Sequence, residues 1–367
     1  MTANHIALIF HDFSTGGSER IAIRLANAWA AAGRRVTIFC GTEAGASRPL
    51  VSSNVIVKAC SPEISRGFGS RIRLGARLGS LISPDTPDVV FAPGNFHLSV
   101  LAVAGRSRSW SRPPFICKLS NPVLPSTRFG LLTAIASAFV RRLIAPVDYL
   151  TVMSPRLARI ASPLLRRNNL TCIDEPILTI SRPQPKGSEP DVGSPIILCI
   201  GRLEAQKDFR LAISAFAELS PSTRTRLIIL GEGPDRSALL RLAHRLGVAD
   251  RVEMPGHVND VMPLLAKARL LLMTSRFEGY PAVLIEARAA GLPIVTTNCS
   301  PALPEIMPLG IHGEIINSRN PMAIGSAIVR QLNQKRPDRL AISSGTERYS
   351  IERIAPQYLR LFDEIAR

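Results

Sequence analysis

A strand and a helix are predicted to meet in the sequence SRFEGYPAVLIEA, residues 275–287. The apolar run before it, 270–273, has the composition of a buried parallel strand, and an alanine-rich segment follows as far as Gly291. Pro281 suits a first helical turn, where its missing N–H costs nothing, and Gly291 suits the C-terminal stop. This order places the free N–H groups of a helix N-terminus at the carboxyl edge of a sheet, where a diphosphate is readily bound.

Two glutamates lie on either side of this junction, one before the predicted helix begins and one within it. Glu278 lies in the predicted loop and Glu286 in the second helical turn. Carboxylates do not bind a diphosphate, but they accept hydrogen bonds from sugar hydroxyls, so the pair is spaced to touch two parts of one elongated ligand. The alternative is a surface loop glutamate and a solvated helix glutamate with no ligand.

The stretch resembles the glutamate, seven residues, glutamate motif of the retaining nucleotide-sugar glycosyltransferases of family 4. The matching residues are Phe277, Glu278, Gly279, Pro281, Leu284, Glu286, Ala287, Ala289, Gly291 and Pro293. This resemblance implies an α/β protein of GT-B architecture, with two Rossmann-like domains facing a central cleft. It also implies that Glu278 contacts the donor sugar and Glu286 the ribose hydroxyls, with further donor contacts at Gly279, Tyr280, Pro281 and Leu284.

A second motif, Gly201-Arg202-Leu203 with Lys207-Asp208 shortly after, follows another predicted strand. Two cations five residues apart in a strand-to-helix turn can converge on phosphate oxygens, although turns often carry surface charges with no such role. The segment resembles a signature of the same glycosyltransferases. That resemblance implies that Arg202 and Lys207 bind the donor diphosphate.

The strand predicted at 227–230 opens into a glycine turn at Gly231. A dinucleotide-binding fingerprint would need a third glycine and a later acidic residue, and Asp235 and Arg236 stand there instead. The segment fits the nucleotide-base side of a GT-B donor site. Residues 255–258 fit it as well, with main-chain groups near Val258 placed to contact the base.

The N-terminal part begins with a predicted strand, 5–10, followed by Gly16-Gly17 and a helical pattern that ends at Gly33. Adjacent glycines allow close backbone approach to a ligand. The turn resembles the Gly-Gly-x-Glu-Arg segment of the family, which implies that Gly16 and Gly17 lie beneath the donor diphosphate and beside the acceptor. His97 follows the buried strand 88–92, and the resemblance makes it the candidate for a donor-hexose contact; a structural histidine is the alternative.

The length of 367 residues suits two domains of ordinary size. The proline-rich, aperiodic segment near 181–191 predicts a linker. We therefore predict a first domain at 1–180, a linker at 181–194 and a second domain at 195–345. The resemblance implies that the first domain binds the acceptor and the second the nucleotide-sugar donor. The resemblance also implies that residues 346–367 form a final helix that crosses back to the first domain, as the last helix of the family does.

The net charge of +17 indicates an anionic partner, either nucleic acid or a membrane surface. Aromatic residues make up only 5% and no nucleic-acid-binding module is present, which favours an anionic membrane over nucleic acid. Two segments, 66–81 and 128–144, combine arginines with apolar residues as interfacial helices do. Ordinary amphipathic helices packed on their own sheet are the alternative.

Six cysteines are scattered singly, without the close spacing of metal or redox motifs, which indicates a reducing cytoplasm. No apolar run reaches the ~18 residues of a membrane span, and the N-terminal strand is too short for a signal-peptide core. The expected location is therefore the cytoplasm, with peripheral association on the inner face of the cell membrane.

The resemblance, taken with these patterns, implies a retaining glycosyltransferase of cell-surface polysaccharide biosynthesis. It would move a hexose or N-acetylhexosamine from a UDP- or GDP-linked donor to a lipid-linked or growing polysaccharide acceptor. No cofactor is expected and no metal either, since fixed cations can stabilise the leaving diphosphate and no Asp-x-Asp motif is present. The alternatives are a GT-B nucleotide-sugar epimerase and a basic, non-catalytic nucleotide-sugar-binding protein.

Overall fold

The computed structural model describes residues 2–14, 16–107, 110–120, 130–168, 170–179, 195–258, 260–308, 312–334 and 338–366. The chain forms two compact units, residues 1–180 with 348–367 and residues 181–347. The linker predicted at 181–194 lies outside the described residues.

A parallel sheet of seven strands forms the centre of the first unit. Its strands are β1 His5–Phe10, β2 Arg35–Cys40, β3 Val55–Ala59, β4 Val89–Ala92, β5 Phe115–Leu119, β6 Tyr149–Val152 and β7 Leu170–Cys172. They lie in the order β3-β2-β1-β4-β5-β6-β7. The direction of winding reverses between β1 and β4, so their carboxyl ends form the switch point at which open α/β sheets bind ligands.

The second unit contains a parallel sheet of six strands. These are β8 Ile196–Ile200, β9 Arg226–Leu230, β10 Val252–Gly256, β11 Leu270–Met273, β12 Ile294–Thr297 and β13 Gly313–Ile316. They lie in the order β10-β9-β8-β11-β12-β13, with the switch point between β8 and β11. Leu271 pairs with Leu198 across this switch, so the loops that follow β8 and β11 emerge side by side.

Helices follow most of the strands, as expected for parallel α/β units. They are α1 Gly17–Ala31, α2 Ser70–Ile82, α3 Leu98–Ala104, α4 Gly130–Ile144, α5 Pro155–Leu165, α6 Phe209–Ala217, α7 Arg236–Arg245, α8 Met262–Lys267, α9 Ala282–Ala289, α10 Leu303–Ile306, α11 Pro321–Asn333, α12 Arg339–Ser343 and α13 Ile351–Ile365. The α/β fold class with two parallel sheets is thereby confirmed.

The last helix, α13, belongs to the first unit and packs on α1 through aromatic rings. The ring of Trp29 meets the ring of Phe362 at 5.0 Å and that of Tyr358 at 5.8 Å, both edge to face. The indole N–H of Trp29 donates to the carbonyl of Ala355 at 3.2 Å. Edge-to-face aromatic pairs add to the burial of their large apolar area, so α13 is an integral part of this core.

Helices α2 to α5 pack one on the next and form the other helical group of the first unit. Arg66 was expected at the start of a helix over 66–81, but α2 begins at Ser70, after Gly69 with φ of 70°. The glycines at 67 and 69 delay the helix, because left-handed backbone at Gly69 cannot continue into a helical turn. The second segment predicted to be interfacial, 128–144, corresponds to α4, except for residues 128–129, which lie outside the described part of the chain.

Within the described ranges, none of the helices is both long and apolar enough to cross a membrane.

Candidate active site

The junction between β11 and α9 forms at the carboxyl edge of the second sheet, as its sequence predicts. Pro281 occupies the N-cap position, one residue before the first helical residue, with φ of −75°. At the other end, Gly291 has φ of 66°, and the N–H groups of Gly291 and Leu292 donate to the carbonyls of Arg288 and Ala287. This is a Schellman motif, in which a left-handed glycine ends the helix.

Lys207 and Glu278 are brought together at this edge from two different loops. The Nζ atom of Lys207 lies 2.6 Å from Oε1 of Glu278. The hydroxyl of Ser275 donates to the same oxygen at 2.7 Å. Only 9% of Glu278 is exposed. A charge-assisted pair with a second donor, largely out of water, holds both side chains in one geometry.

The backbone around Glu278 is fixed by bonds to neighbouring loops. The N–H of Glu278 donates to the carbonyl of Cys299 at 2.8 Å, and the hydroxyl of Ser300 donates to the carbonyl of Gly279 at 2.8 Å. The side-chain amide of Gln206 donates to the carbonyl of Phe277 at 3.0 Å. The Glu278 carboxylate is therefore presented by a loop tied to the segments after both β8 and β12.

Gly231 lies where three strand ends pack backbone against backbone. Its N–H donates to the carbonyl of Gly256 at 2.8 Å. With φ of 139°, a Cβ at this position would lie 1.9 Å from the carbonyl oxygen of Gly201. A glycine is required here by packing alone, whatever its part in binding a nucleotide.

Arg202 points to a more exposed position than the pair. Its guanidinium lies 2.9 Å from Oε1 of Glu204, and its side chain is 77% exposed. The structure thus brings Lys207 and Glu278 together and pairs Arg202 with Glu204, a partner that sequence reasoning did not assign.

The other predicted donor-site residues of this unit lie on the same edge. Leu284 is fully buried in the first turn of α9, and its N–H donates to the carbonyl of Pro281 at 3.1 Å. Tyr280 and Glu286 are half-buried, and Val258 lies two residues beyond β10.

In the first unit, Gly16 is the N-cap of α1 and Gly17 its first residue. The Glu19 carboxylate lies over Gly16, because a Cβ there would be 2.1 Å from Oε2 of Glu19. Arg66 binds this carboxylate at 2.8 Å and also binds Asp12. Arg66, Asp12 and Glu19 were not assigned a joint role from the sequence, since their contacts join positions far apart along the chain.

His97 is buried just after β4, at the switch point of the first sheet. Only 5% of it is exposed, and neither ring nitrogen has a hydrogen-bond partner among the described residues. Burial, with the nearby charge of Arg66, lowers the pKa of His97 to about 3. The neighbouring Phe96 ring lies 5.4 Å from the His97 ring and also contacts Arg66 and Arg71. His97 is consequently a neutral ring without a polar partner in this structure.

Among the residues that the structure describes, no group of three or more histidine, cysteine, aspartate or glutamate side chains is arranged to hold a metal ion.

Comparisons with known proteins match both halves of the chain. The family described as glycosyl transferases group 1 matches residues 181–348, and glycosyltransferase family 4 matches residues 15–173. The N-acetyl-alpha-D-glucosaminyl L-malate synthase of Bacillus anthracis is 27% identical over 47% of this chain and 46% of its own length, so the match spans about half of that relative. LpsE of Rhizobium meliloti, a lipopolysaccharide core biosynthesis glycosyltransferase, is 24% identical over 78% of this chain and 77% of its own length.

Solved structures share the fold over nearly the whole chain. Anabaena Alr3699/HepE in complex with UDP-glucose superposes with a TM-score of 0.79 at 18% identity, covering 98% of this chain and 99% of that one. WaaG, a glycosyltransferase of lipopolysaccharide biosynthesis, gives 0.71 at 19% identity, covering 97% and 99%. With the family matches in both halves and this shared GT-B fold, the chain belongs to the group 1, family 4 glycosyltransferases.

Proposed function

We propose that the chain transfers a hexose or N-acetylhexosamine from a nucleoside-diphosphate sugar to a lipid-linked or growing polysaccharide acceptor, with retention of configuration. The observation that carries this proposal is the pairing of Lys207 with Glu278 at 2.6 Å on the carboxyl edge of the second sheet. UDP and UDP-glucose bound to HepE support a nucleotide-sugar donor, and the lipopolysaccharide role of LpsE supports an acceptor of this class.

Glu278 is suited to orient the donor sugar. In the described part of the chain, both hydrogen bonds to its carboxylate end at Oε1, which leaves Oε2 for a sugar hydroxyl. Because Lys207 and Ser275 hold the other oxygen, the carboxylate is pre-organised before the sugar arrives. It acts by orientation and not as a nucleophile.

Lys207 is suited to stabilise the departing diphosphate. The bond between the anomeric carbon and the phosphate oxygen breaks, and the acceptor hydroxyl oxygen bonds to that carbon on the same face. The acceptor proton goes to the leaving phosphate. Lys207, Arg202 and the N–H groups at the start of α9 offer positive charge where negative charge develops, so this chemistry requires no metal.

The first unit is suited to dock on an anionic membrane surface, because its charges are segregated. Helices α2 to α5 carry seven arginines and neither aspartate nor glutamate. Helices α1 and α13 carry four arginines and four carboxylates, a balance of zero. Several large apolar side chains around the basic group are exposed: Phe68, Ile72, Ile135, Phe139 and Ile160. Exposed apolar side chains among arginines match an interface of anionic headgroups and acyl chains.

A donor screen tests the transfer. Purified protein is incubated with UDP- and GDP-sugars, with and without bacterial lipid extract and with EDTA, and release of nucleoside diphosphate is followed. We expect release from one donor that rises with lipid and survives EDTA. Lys207→Ala should lower it at least ~100-fold, since a transition-state charge contact is lost. The exposed Lys267→Ala is the control. Full turnover by Lys207→Ala would contradict the mechanism.

Vesicle sedimentation at low salt tests the membrane surface. The wild type should pellet with vesicles containing phosphatidylglycerol. Arg73→Gln with Arg77→Gln should weaken this by roughly 30-fold, from about 1 kcal/mol per basic residue. Arg353→Gln with Arg360→Gln on α13 is the matched control and should bind as the wild type does. Equal losses of vesicle binding in the two double variants would show that binding depends only on net charge, which would contradict the proposed membrane surface.

A further inference from the structure

Asp208 and Arg319 are joined beside the Lys207–Glu278 pair, although they lie far apart in sequence. The guanidinium of Arg319 donates to Oδ2 of Asp208 at 2.6 Å. Asp208 is 9% exposed and immediately follows Lys207. Arg319 follows β13 by three residues and has no role in the proposed reaction.

Arg319 also binds the loop that carries Glu278. It donates to the carbonyl of Thr274 at 2.9 Å and to that of Ser275 at 3.1 Å. Ser275 is the residue whose hydroxyl bonds to Glu278. One guanidinium therefore joins the Lys207 turn to the Glu278 loop, and a planar fork with several N–H donors is suited to such a junction.

The Asp208 turn is held by its main chain as well. Asp208 has φ of 47°, a left-handed conformation in which asparagine and aspartate are tolerated better than most residues. The hydroxyl of Thr274 donates to its carbonyl at 2.9 Å. Lys207 therefore leaves a turn whose backbone and following side chain are both bound to the end of β11.

Arg276 contacts the same carboxylate in a simpler way. Its guanidinium lies 3.1 Å from Oδ2 of Asp208, and its side chain is 60% exposed. Among the described contacts, its side chain reaches no loop carbonyl. Arg276 lies in the Glu278 loop itself, so this contact, together with the bond from its N–H to the carbonyl of Gln206 at 2.8 Å, also joins the two loops. Arg319 adds the segment after β13 to the junction and binds both the Asp208 carboxylate and the loop backbone.

We propose that Arg319, acting with Asp208, is a positioning residue that sets the separation of Lys207 and Glu278 for sugar transfer. This inference rests on the proposed function of that pair. Without Arg319, the two loops are still joined by Gln206 and Thr274, but the Asp208 carboxylate loses its connection to the backbone of Thr274 and Ser275, so the spacing of Lys207 and Glu278 is held less firmly. A misplacement of about 1 Å can lower turnover by about 100-fold, while donor binding through other contacts is kept.

Steady-state kinetics on a donor and acceptor pair found in the screen tests the role. Arg319→Gln should lower kcat by 10- to 100-fold, with donor KM changed by less than ~3-fold. Arg319→Lys should recover part of the loss, because an ammonium still pairs with Asp208 but does not reproduce the fork. Asp208→Asn keeps a side chain that tolerates the left-handed turn and removes the charge, and it should lower kcat as well.

The control for loss of an arginine–carboxylate pair is Arg330→Gln. Arg330 lies on α11, and its guanidinium is 2.7 Å from the carboxylate of Glu314. In the described structure its side chain contacts neither catalytic loop. It should leave kcat within ~2-fold of the wild type. A kcat for Arg319→Gln within ~2-fold of the wild type overturns the inference, and so does an equal loss in Arg330→Gln.

Hydrogen–deuterium exchange without ligand separates this inference from the proposed function. Arg319→Gln, but not Arg330→Gln, should speed exchange in peptides covering 204–208 and 274–280. Unchanged exchange overturns the junction whether or not a donor has been found. If Lys207→Ala keeps full turnover, the proposed function fails. If Lys207→Ala is inactive while Arg319→Gln has faster exchange and normal kcat, the positioning role alone fails.

Discussion

Replacing His97 with leucine is expected to make the first unit more resistant to acid while it impairs transfer. Both ring nitrogens of His97 lack partners among the described residues, and 5% of the residue is exposed. A buried polar group without a partner costs about 1–3 kcal/mol, and loss of the edge contact with Phe96 offsets about 0.5–1.5 kcal/mol of the gain. At pH 7.5 the variant should thus equal the wild type or exceed it by ~1 kcal/mol.

The effect of the substitution on stability is larger at acidic pH than at pH 7.5. Burial lowers the pKa of His97 to about 3 in the folded chain, against about 6.5 in an unfolded chain. As pH falls below 6.5, His97 becomes protonated in the unfolded chain but stays neutral in the folded chain, so the folded chain loses stability with falling pH. Between pH 7.5 and 5.0 this single group accounts for ~2 kcal/mol of lost stability. The leucine variant should lose that much less.

Urea unfolding at pH 7.5 and 5.0 measures the difference, with donor turnover recorded at pH 7.5. His244→Gln, at an exposed position, is the control. A leucine variant that loses as much stability on acidification as the wild type would refute the assigned burial of the neutral ring. Turnover equal to that of the wild type would show that His97 does not contact the donor and has only a structural role.

Three further changes test other parts of the structure. Gly231→Ala should lower the free energy of urea unfolding by more than ~3 kcal/mol, because the new Cβ would lie 1.9 Å from the carbonyl oxygen of Gly201. Gly247→Ala, at a left-handed position in open space, should lower it by only ~1–2 kcal/mol, and equal losses would contradict the packing argument. Lys118→Met should lower the free energy of unfolding by ~3–5 kcal/mol, because it leaves Glu175, 2.7 Å from Lys118, buried without its partner. The double variant with Glu175→Met should regain most of this stability, and a double variant no more stable than the single would contradict the argument. Ser275→Ala should lower kcat by ~10-fold at nearly constant donor KM, because it removes a hydrogen bond to a charged group that orients the sugar; an effect on KM alone would indicate a binding role.

The local features of the site were predictable because their causes are local. Pro281 and Gly291 bracket α9 through the backbone geometry of their own residue types. The alternation of strands with helices predicted two parallel sheets, which places the segments around Lys207 and Glu278 at carboxyl edges. The site residues themselves came from a resemblance, and their roles stay predictions.

The contacts that hold the site were not predictable from the sequence. Asp208 and Arg319 are 111 residues apart, and no spacing rule selects one arginine among many as the partner of a given carboxylate. Arg66 was placed on a helix by its pattern, but Gly69 and the carboxylates of Asp12 and Glu19 determine its position instead. Side-chain partners of this kind depend on the three-dimensional fold and not on periodicity.

The aromatic contact between α1 and α13 has a consequence for the order in which the protein is made. Residues 348–366 leave the ribosome after the whole of the second unit, yet the rings of Tyr358 and Phe362 complete the core around Trp29. The second unit is continuous in sequence, so it can be complete while the first still exposes an indole and the apolar face of α1. The first unit therefore receives its last helix only after the whole second unit has been made, contrary to the usual N-terminal-first order of domain completion. A chimaera that exchanges only the N-terminal half would pair a foreign α1 with the Tyr358 and Phe362 rings of this chain.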